Sequence, residues 1–73
     1  MNTYLVSFAD LAEEQCWIKK FTATGFQHCV SKISQYLNEE YNLDIMCDNY
    51  HDLKEELRDS DIIIGSIIDL DEL

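Results

Sequence analysis

The beginning of the chain alternates apolar and polar positions, as half-buried β-strands do. Residues 3–8 place Tyr4, Val6 and Phe8 on one face and predict a first strand. Residues 16–22, rich in aromatic and branched side chains, indicate a second strand. Because only a short polar connection separates the two segments, we expect them to pair as an antiparallel hairpin.

The segment that follows has the periodicity of a helix. Thr24 and Gln27 have the spacing of a capping box, in which each side chain bonds a backbone amide at the start of the helix. At 100° per residue, the next apolar side chains fall within an arc of about 140°. They are Phe26, Cys29, Val30, Ile33, Tyr36, Leu37 and Tyr41. The pattern predicts an amphipathic helix whose apolar face packs on the hairpin.

The second half of the chain predicts a further helix and a last strand. Residues 43–47 are either a short strand or irregular structure, and Asp48 or Asn49 can cap a helix that ends near Arg58. Residues 61–70 predict a strand whose isoleucines on both faces suggest a central place in the sheet. Gly65 within it indicates a bulge or a close backbone approach. The expected order is therefore ββαβαβ, or ββααβ if 43–47 is not a strand.

These elements predict one α+β domain over residues 1–73. The N-terminal hairpin and the C-terminal strand would form a small antiparallel sheet of three or four strands. One amphipathic helix would pack on it, beside a second, short acidic helix. The chain has no proline, two glycines and no linker-like composition, so no domain boundary is expected.

Charge is the strongest compositional feature, because the formal net charge is −10. Acidic and basic residues are equal in number over 1–36, so the whole net charge belongs to 37–73. Such a surface repels nucleic acid and anionic membranes and attracts basic proteins. We therefore expect no direct binding to nucleic acid or to membrane.

The second predicted helix concentrates this charge on one face. Its carboxylates fall within about 100° of one another, and like charges four residues apart destabilise a helix slightly. The face is interpreted either as a solvated helix surface or as an acidic docking surface. The candidate partner-binding residues are Asp48, Asp52, Glu55, Glu56 and Asp59, together with Glu39, Asp44, Asp69, Asp71 and Glu72.

Other chemistry has less support in the sequence. Three widely spaced cysteines predict reduced thiols, and the chain shows neither a secretory leader nor an apolar run long enough to span a bilayer. We therefore expect a cytoplasmic protein. Cys47 and His51 have the spacing of metal ligands, but zinc requires four ligands that usually come from paired motifs. No cofactor or metal is expected, although a small metal or thiol site is kept as an alternative.

Catalysis would require a nucleophile beside a base. His28 falls on the polar side of the first predicted helix, whereas Cys29 falls on its apolar side. The pair is poorly placed for such chemistry, so we do not expect an enzyme.

The first half of the chain resembles the strand–strand–capped-helix opening of small phage-encoded accessory proteins. The residues involved are Tyr4-Leu5-Val6-Ser7-Phe8, Trp17-Ile18 and Thr22-Ala23-Thr24-Gly25-Phe26. Proteins of this kind include inhibitors of bacterial defence, such as anti-CRISPR and anti-restriction proteins, some of which imitate DNA with acidic surfaces. The resemblance implies a phage origin, action in the host cytoplasm and an inhibitory role. It assigns no individual site residue.

Together, these observations predict a small acidic protein-binding module from a phage or mobile element. It would occlude a basic, nucleic-acid-binding surface of a host defence protein, with DNA mimicry as one route. The alternative is a structural homo-oligomer, such as a homodimer, built by pairing a free strand edge or an exposed part of the hairpin. In that case the charge would serve only solubility.

Overall fold

The computed structural model describes residues 1–72, which form three β-strands, two α-helices and a short 3-10 helix. The elements are β1 (Asn2–Asp10), β2 (Gln15–Ala23), α1 (Phe26–Tyr41), α2 (Tyr50–Leu57), β3 (Ile62–Asp69) and the 3-10 helix Leu70–Glu72. The strand order is β2-β1-β3, and both neighbours run antiparallel to β1. The predicted α+β class is confirmed, with the ββααβ order.

The hairpin of β1 and β2 closes through a tight four-residue turn. The buried Asp10 carboxylate accepts hydrogen bonds from the backbone amides of Ala12 at 3.0 Å and Glu13 at 3.2 Å. Glu14 completes the turn with a left-handed backbone, φ 54°. Because the turn is closed in this way, the strands stay paired up to Asp10 and Gln15, and both are longer than the alternation predicts.

Helix α1 begins without the predicted capping box. Gly25 is its N-cap, and no side chain bonds the first-turn amides. The Thr24 hydroxyl instead lies 3.1 Å from Nδ1 of His28, and Nε2 of Gln27 donates to Asp48 at 2.9 Å. The capping-box prediction was wrong because both side chains have partners elsewhere.

The chain between the helices is irregular, so the strand suggested for residues 43–47 is not formed. The side-chain amide of Asn38 bonds both backbone groups of Ile45, donating to its carbonyl at 2.7 Å and accepting from its N–H at 2.8 Å. One side chain thus supplies what a strand partner would have supplied. The bond also fixes Ile45 in the core, where it is buried.

The hydrophobic core lies between the two helices and one face of the sheet. It consists of Tyr4, Val6, Phe8, Phe21, Ala23, Cys29, Val30, Ile33, Leu37, Ile45, Leu53, Leu57, Ile62 and Ile64. Trp17 extends it toward the hairpin end, stacked on Phe8 with ring centroids 5.3 Å apart and donating to the Tyr36 hydroxyl at 3.0 Å. Phe26 departs from the predicted apolar arc, because it lies at the exposed start of α1.

Strand β3 lies at an edge of the sheet, so its predicted central position was wrong. β1 is the central strand, and β3 pairs with it through Phe8–Ile64 and Ala9–Ile63. The isoleucines of β3 lie on both faces for a different reason. Ile64 packs under the helices, whereas Ile63 lies on the opposite face of the sheet and remains 49% exposed.

Gly65 interrupts the pairing of β1 and β3, as predicted. The register shifts between Val6 and Phe8, and a Cβ atom on Gly65 would lie 2.3 Å from Oγ of Ser7. That oxygen accepts a hydrogen bond from the backbone N–H of Ser66 at 3.0 Å. The bulge therefore depends on a close approach that only glycine allows.

Candidate interaction surfaces

Helix α2 carries its carboxylates on the side away from the core. Its N-cap is Asn49, one of the two predicted, whose Oδ1 accepts from the N–H of Asp52 at 2.9 Å. Leu53 and Leu57 are buried and set the rotation of the helix. This rotation leaves Asp52, Glu55 and Glu56 exposed on the helix. Asp48 and Asp59, which the wheel included, lie just outside the two ends of α2 and are exposed as well. We call these five carboxylates the α2 acidic cluster.

The carboxylates of this cluster lie near enough to the thiol of Cys47 to affect its pKa. Burial raises the pKa of Cys47, and the carboxylates of Glu56, Asp52 and Asp48 raise it further. The structure therefore brings together acidic side chains from the helix and from the segment before it. Because Asp48 also accepts from Gln27, the cluster is attached to the first turn of α1.

The acids at the end of β3 form a separate group beside the start of β1. The Asp69 carboxylate accepts from Nδ2 of Asn2 at 3.4 Å and from the N–H of Asp71 at 3.0 Å. The Asp71 carboxylate accepts from the N–H of Thr3 at 2.7 Å. The carboxylates of Asp69 and Asp71 are therefore held by backbone and amide groups, and Glu72 lies exposed beside them.

A third acidic region lies at the turn of the hairpin, and the sequence pattern did not reveal it. Tyr41, at the end of α1, has its pKa raised by burial and then by Asp10, Tyr36, Glu40 and Glu13. Two of these acids, Asp10 and Glu13, come from the half of the chain whose charges cancel. Among the other predicted residues, Glu39 lies exposed in the last turns of α1 and Asp44 is exposed in the following segment.

The cations of the protein do little to neutralise these acids. Over residues 1–72 there is one ion pair, Arg58 to Glu55 at 3.2 Å, and its exposure makes it weak. Lys19 lies over the ring of Tyr36 and Lys54 over that of Tyr50, at 4.9 Å and 5.3 Å from the centroids. Most carboxylates thus remain without a positive partner.

One flank of α2 carries side chains of both charges. His51, Lys54 and Arg58 line a groove of about 480 Å³ between this helix and β3, together with the carboxylates of Glu55 and Asp61.

The second face of the sheet differs from the rest of the surface. We call it the open sheet face, and it consists of the outward positions Thr3, Leu5, Ser7, Ala9, Cys16, Ile18, Lys20, Thr22, Ile63, Gly65 and Ile68. These strand positions include no carboxylate, and the side chains of Ile18, Ile63 and Ile68 among them are exposed. The isoleucines on both faces of 61–70 were the available sign in the sequence, but they were interpreted as indicating a central strand.

Comparison of the chain with protein-family models, with curated proteins and with solved structures found no match. Across residues 1–72, no group of three or more His, Cys, Asp or Glu side chains is arranged to hold a metal ion. No helix in the described range is both long enough and apolar enough to cross a membrane. Burial raises the pKa of Cys29 to about 11, so this thiol stays protonated near neutral pH.

Proposed function

We propose that this protein is a binding module that presents the α2 acidic cluster to a basic surface of another protein and occludes that surface. The exposure of the cluster, in which Glu55 alone has a cation partner among the described residues, supports this most directly. Asp52 and Glu56 repel each other across one helical turn. A small domain has little stability to spare, so a binding role is a reason to retain this repulsion.

The spacing of the carboxylates favours a partner that otherwise binds nucleic acid. α2 has eight residues and is therefore about 12 Å long. Its three carboxylates, Asp52, Glu55 and Glu56, give about one charge per 4 Å, close to the roughly 3.4 Å between phosphates along one DNA strand. The resemblance of the first half to phage-encoded inhibitors supports a host defence protein as the target, with DNA mimicry as the mode.

The proposal is tested by affinity capture from a bacterial lysate, identification of the bound protein and measurement of its affinity. The informative variant is Asp52→Asn/Glu56→Gln, and Glu13→Gln/Glu14→Gln changes the charge equally at the hairpin turn. We expect the first to weaken binding at least about tenfold and the second less than about threefold. Binding should also weaken as salt is raised, because exposed charges are screened.

If the two double variants bound the partner with equal affinity, or if the affinity did not change with salt concentration, the proposal would be contradicted. Occlusion is tested separately by competition with duplex DNA for the identified partner. We expect DNA and this protein to exclude each other. A ternary complex that contains both would show that the acidic cluster does not act by mimicking DNA.

A further inference from the structure

The open sheet face has a shallow depression between two projecting isoleucines, and the proposed function does not involve it. The central strand presents the small side chains of Ser7 and Ala9, while Ile18 and Ile63 project from the strands on either side. Together with Cys16 and Gly65 they line a shallow depression of about 640 Å³. Ile18 is 69% exposed and Ile63 is 49% exposed, so large apolar side chains border the depression on both sides.

We propose that a second copy of this chain covers the open sheet face, so that two sheets pack face to face in a two-fold symmetric dimer. A symmetric interface requires a surface that complements itself. This face supplies both parts, because the isoleucine of one copy can enter the depression over Ser7 and Ala9 of the other. Interdigitation of this kind is how paired sheets pack about 10 Å apart.

The distribution of charge favours a second copy over a charged partner. Each chain has a net charge of −10, so two copies repel each other on most approaches. The open sheet face is the exception, because Lys20 is its one charged side chain and its strand positions hold no carboxylate. Two copies that meet here keep their acidic groups in solvent, whereas an acidic or basic partner would find little to recognise.

The dimensions of the open sheet face also match those of a second sheet. Its strands of eight or nine residues make it about 30 Å long, and three strands about 4.8 Å apart make it about 15 Å wide. A single helix or peptide would cover only part of that area. Pairing at a strand edge would leave Ile18 or Ile63 in water.

The test is the molar mass of the purified chain, measured by sedimentation over a range of concentrations. We expect a transition from the 8.6 kDa monomer to a dimer of twice that mass. Ile18→Asp and Ile63→Asp should each weaken dimerisation at least about 100-fold, since each buries an unpaired charge. Met46→Asp is the matched control, because Met46 is 94% exposed and lies off the sheet, and it should change the dimer constant less than about threefold.

The two isoleucine variants distinguish the face from the edges, because Ile18 is on β2 and Ile63 on β3, at opposite edges of the sheet. Loss of the dimer in both variants supports face-to-face packing, provided that circular dichroism shows a folded monomer. Loss in only one of them would assign the contact to that edge and overturn the proposal. A wild-type chain that is monomeric at every concentration, or a dimer unaffected by either variant, would also overturn it.

Discussion

Ile63 and Ile64 are adjacent in β3 but belong to opposite sides of the sheet. Ile64 is 3% exposed beneath the helices, whereas Ile63 is 49% exposed on the open sheet face. The helical side has the α2 acidic cluster above its core, and the open side is apolar without carboxylates at its strand positions. The difference shows that the fold separates the charge from the uncovered apolar surface, so that the two sides can serve different contacts.

Alanine substitutions of Ile64 and Ile63 test this separation most strongly, because they should lower the free energy of unfolding by different amounts. Ile64→Ala should lower the free energy of unfolding by about 2–5 kcal/mol, because it removes fully packed methyl groups. Ile63→Ala should lower it by less than about 1 kcal/mol in the monomer, since half of its surface is already in water. Urea unfolding at low protein concentration measures both values. Similar losses for the two variants would mean that the open face is covered within the monomer.

The cysteines give a second comparison, because Cys29 is buried on the core side of α1 and Cys16 lies exposed on the open face. The pKa of Cys29 is raised from 9.0 to about 11, so the unfolded chain loses this proton at a lower pH than the folded chain. The contribution of this thiol to stability should therefore be fully present below pH 9 and be lost as pH rises from 9 to about 11. This loss should amount to about 2–3 kcal/mol.

Chemical denaturation at several pH values measures the effect. Cys29→Ala should show a flatter dependence on pH above 9 than the wild type, and Cys16→Ala should follow the wild type. If the Cys29→Ala and wild-type curves were parallel, the Cys29 thiol would not be held in its neutral form by the fold.

The sequence predicted the elements of local origin and missed those that depend on long-range contacts. Alternation placed the hairpin, periodicity placed α1, and Asn49 was one of two caps predicted for α2. The capping box failed because Gln27 bonds Asp48, twenty-one residues away. No local pattern contains a partner at that distance.

The position of β3 and part of the acidic surface could not be predicted for similar reasons. Apolar residues on both faces of a strand are expected both for a central strand and for an edge strand with an uncovered face. Glu13 and Glu40 both raise the pKa of Tyr41, although they are far apart in the sequence. The predicted acids of α2 were found exposed as the wheel indicated, because Leu53 and Leu57 set the rotation of that helix.

A third comparison concerns the bulge on the open face. Gly65→Ala should lower the free energy of unfolding by about 1–2 kcal/mol, because the new methyl group displaces the Ser7 hydroxyl from its bond to Ser66. In a Ser7→Ala background the same change should have a smaller effect. Thermal or urea unfolding of the wild type, the two single variants and the double variant gives the coupling free energy between the two positions. An unchanged effect in that background would show that the close approach does not limit this position.

The smallest effect is expected within the α2 acidic cluster. Glu56→Lys replaces a repulsion of Asp52 with an attraction at the same spacing and should raise the free energy of unfolding by about 0.5 kcal/mol. Lys20→Gln, which removes the charge of the open face, should change it by less. Chemical denaturation of each variant and of the wild type at low salt measures both changes in the free energy of unfolding. The increase from Glu56→Lys should shrink in concentrated salt, and an increase of equal size there would show that it is not electrostatic.

The strand order has a consequence for synthesis on the ribosome. β1 is made first and pairs at once with β2, but its other side waits for β3, which begins at Ile62. At typical elongation rates this delay is about 2–10 s, far longer than a hairpin takes to form. The nascent hairpin therefore emerges with the backbone groups of its middle strand unpaired and its apolar face uncovered. That interval is when chaperones would most readily bind it.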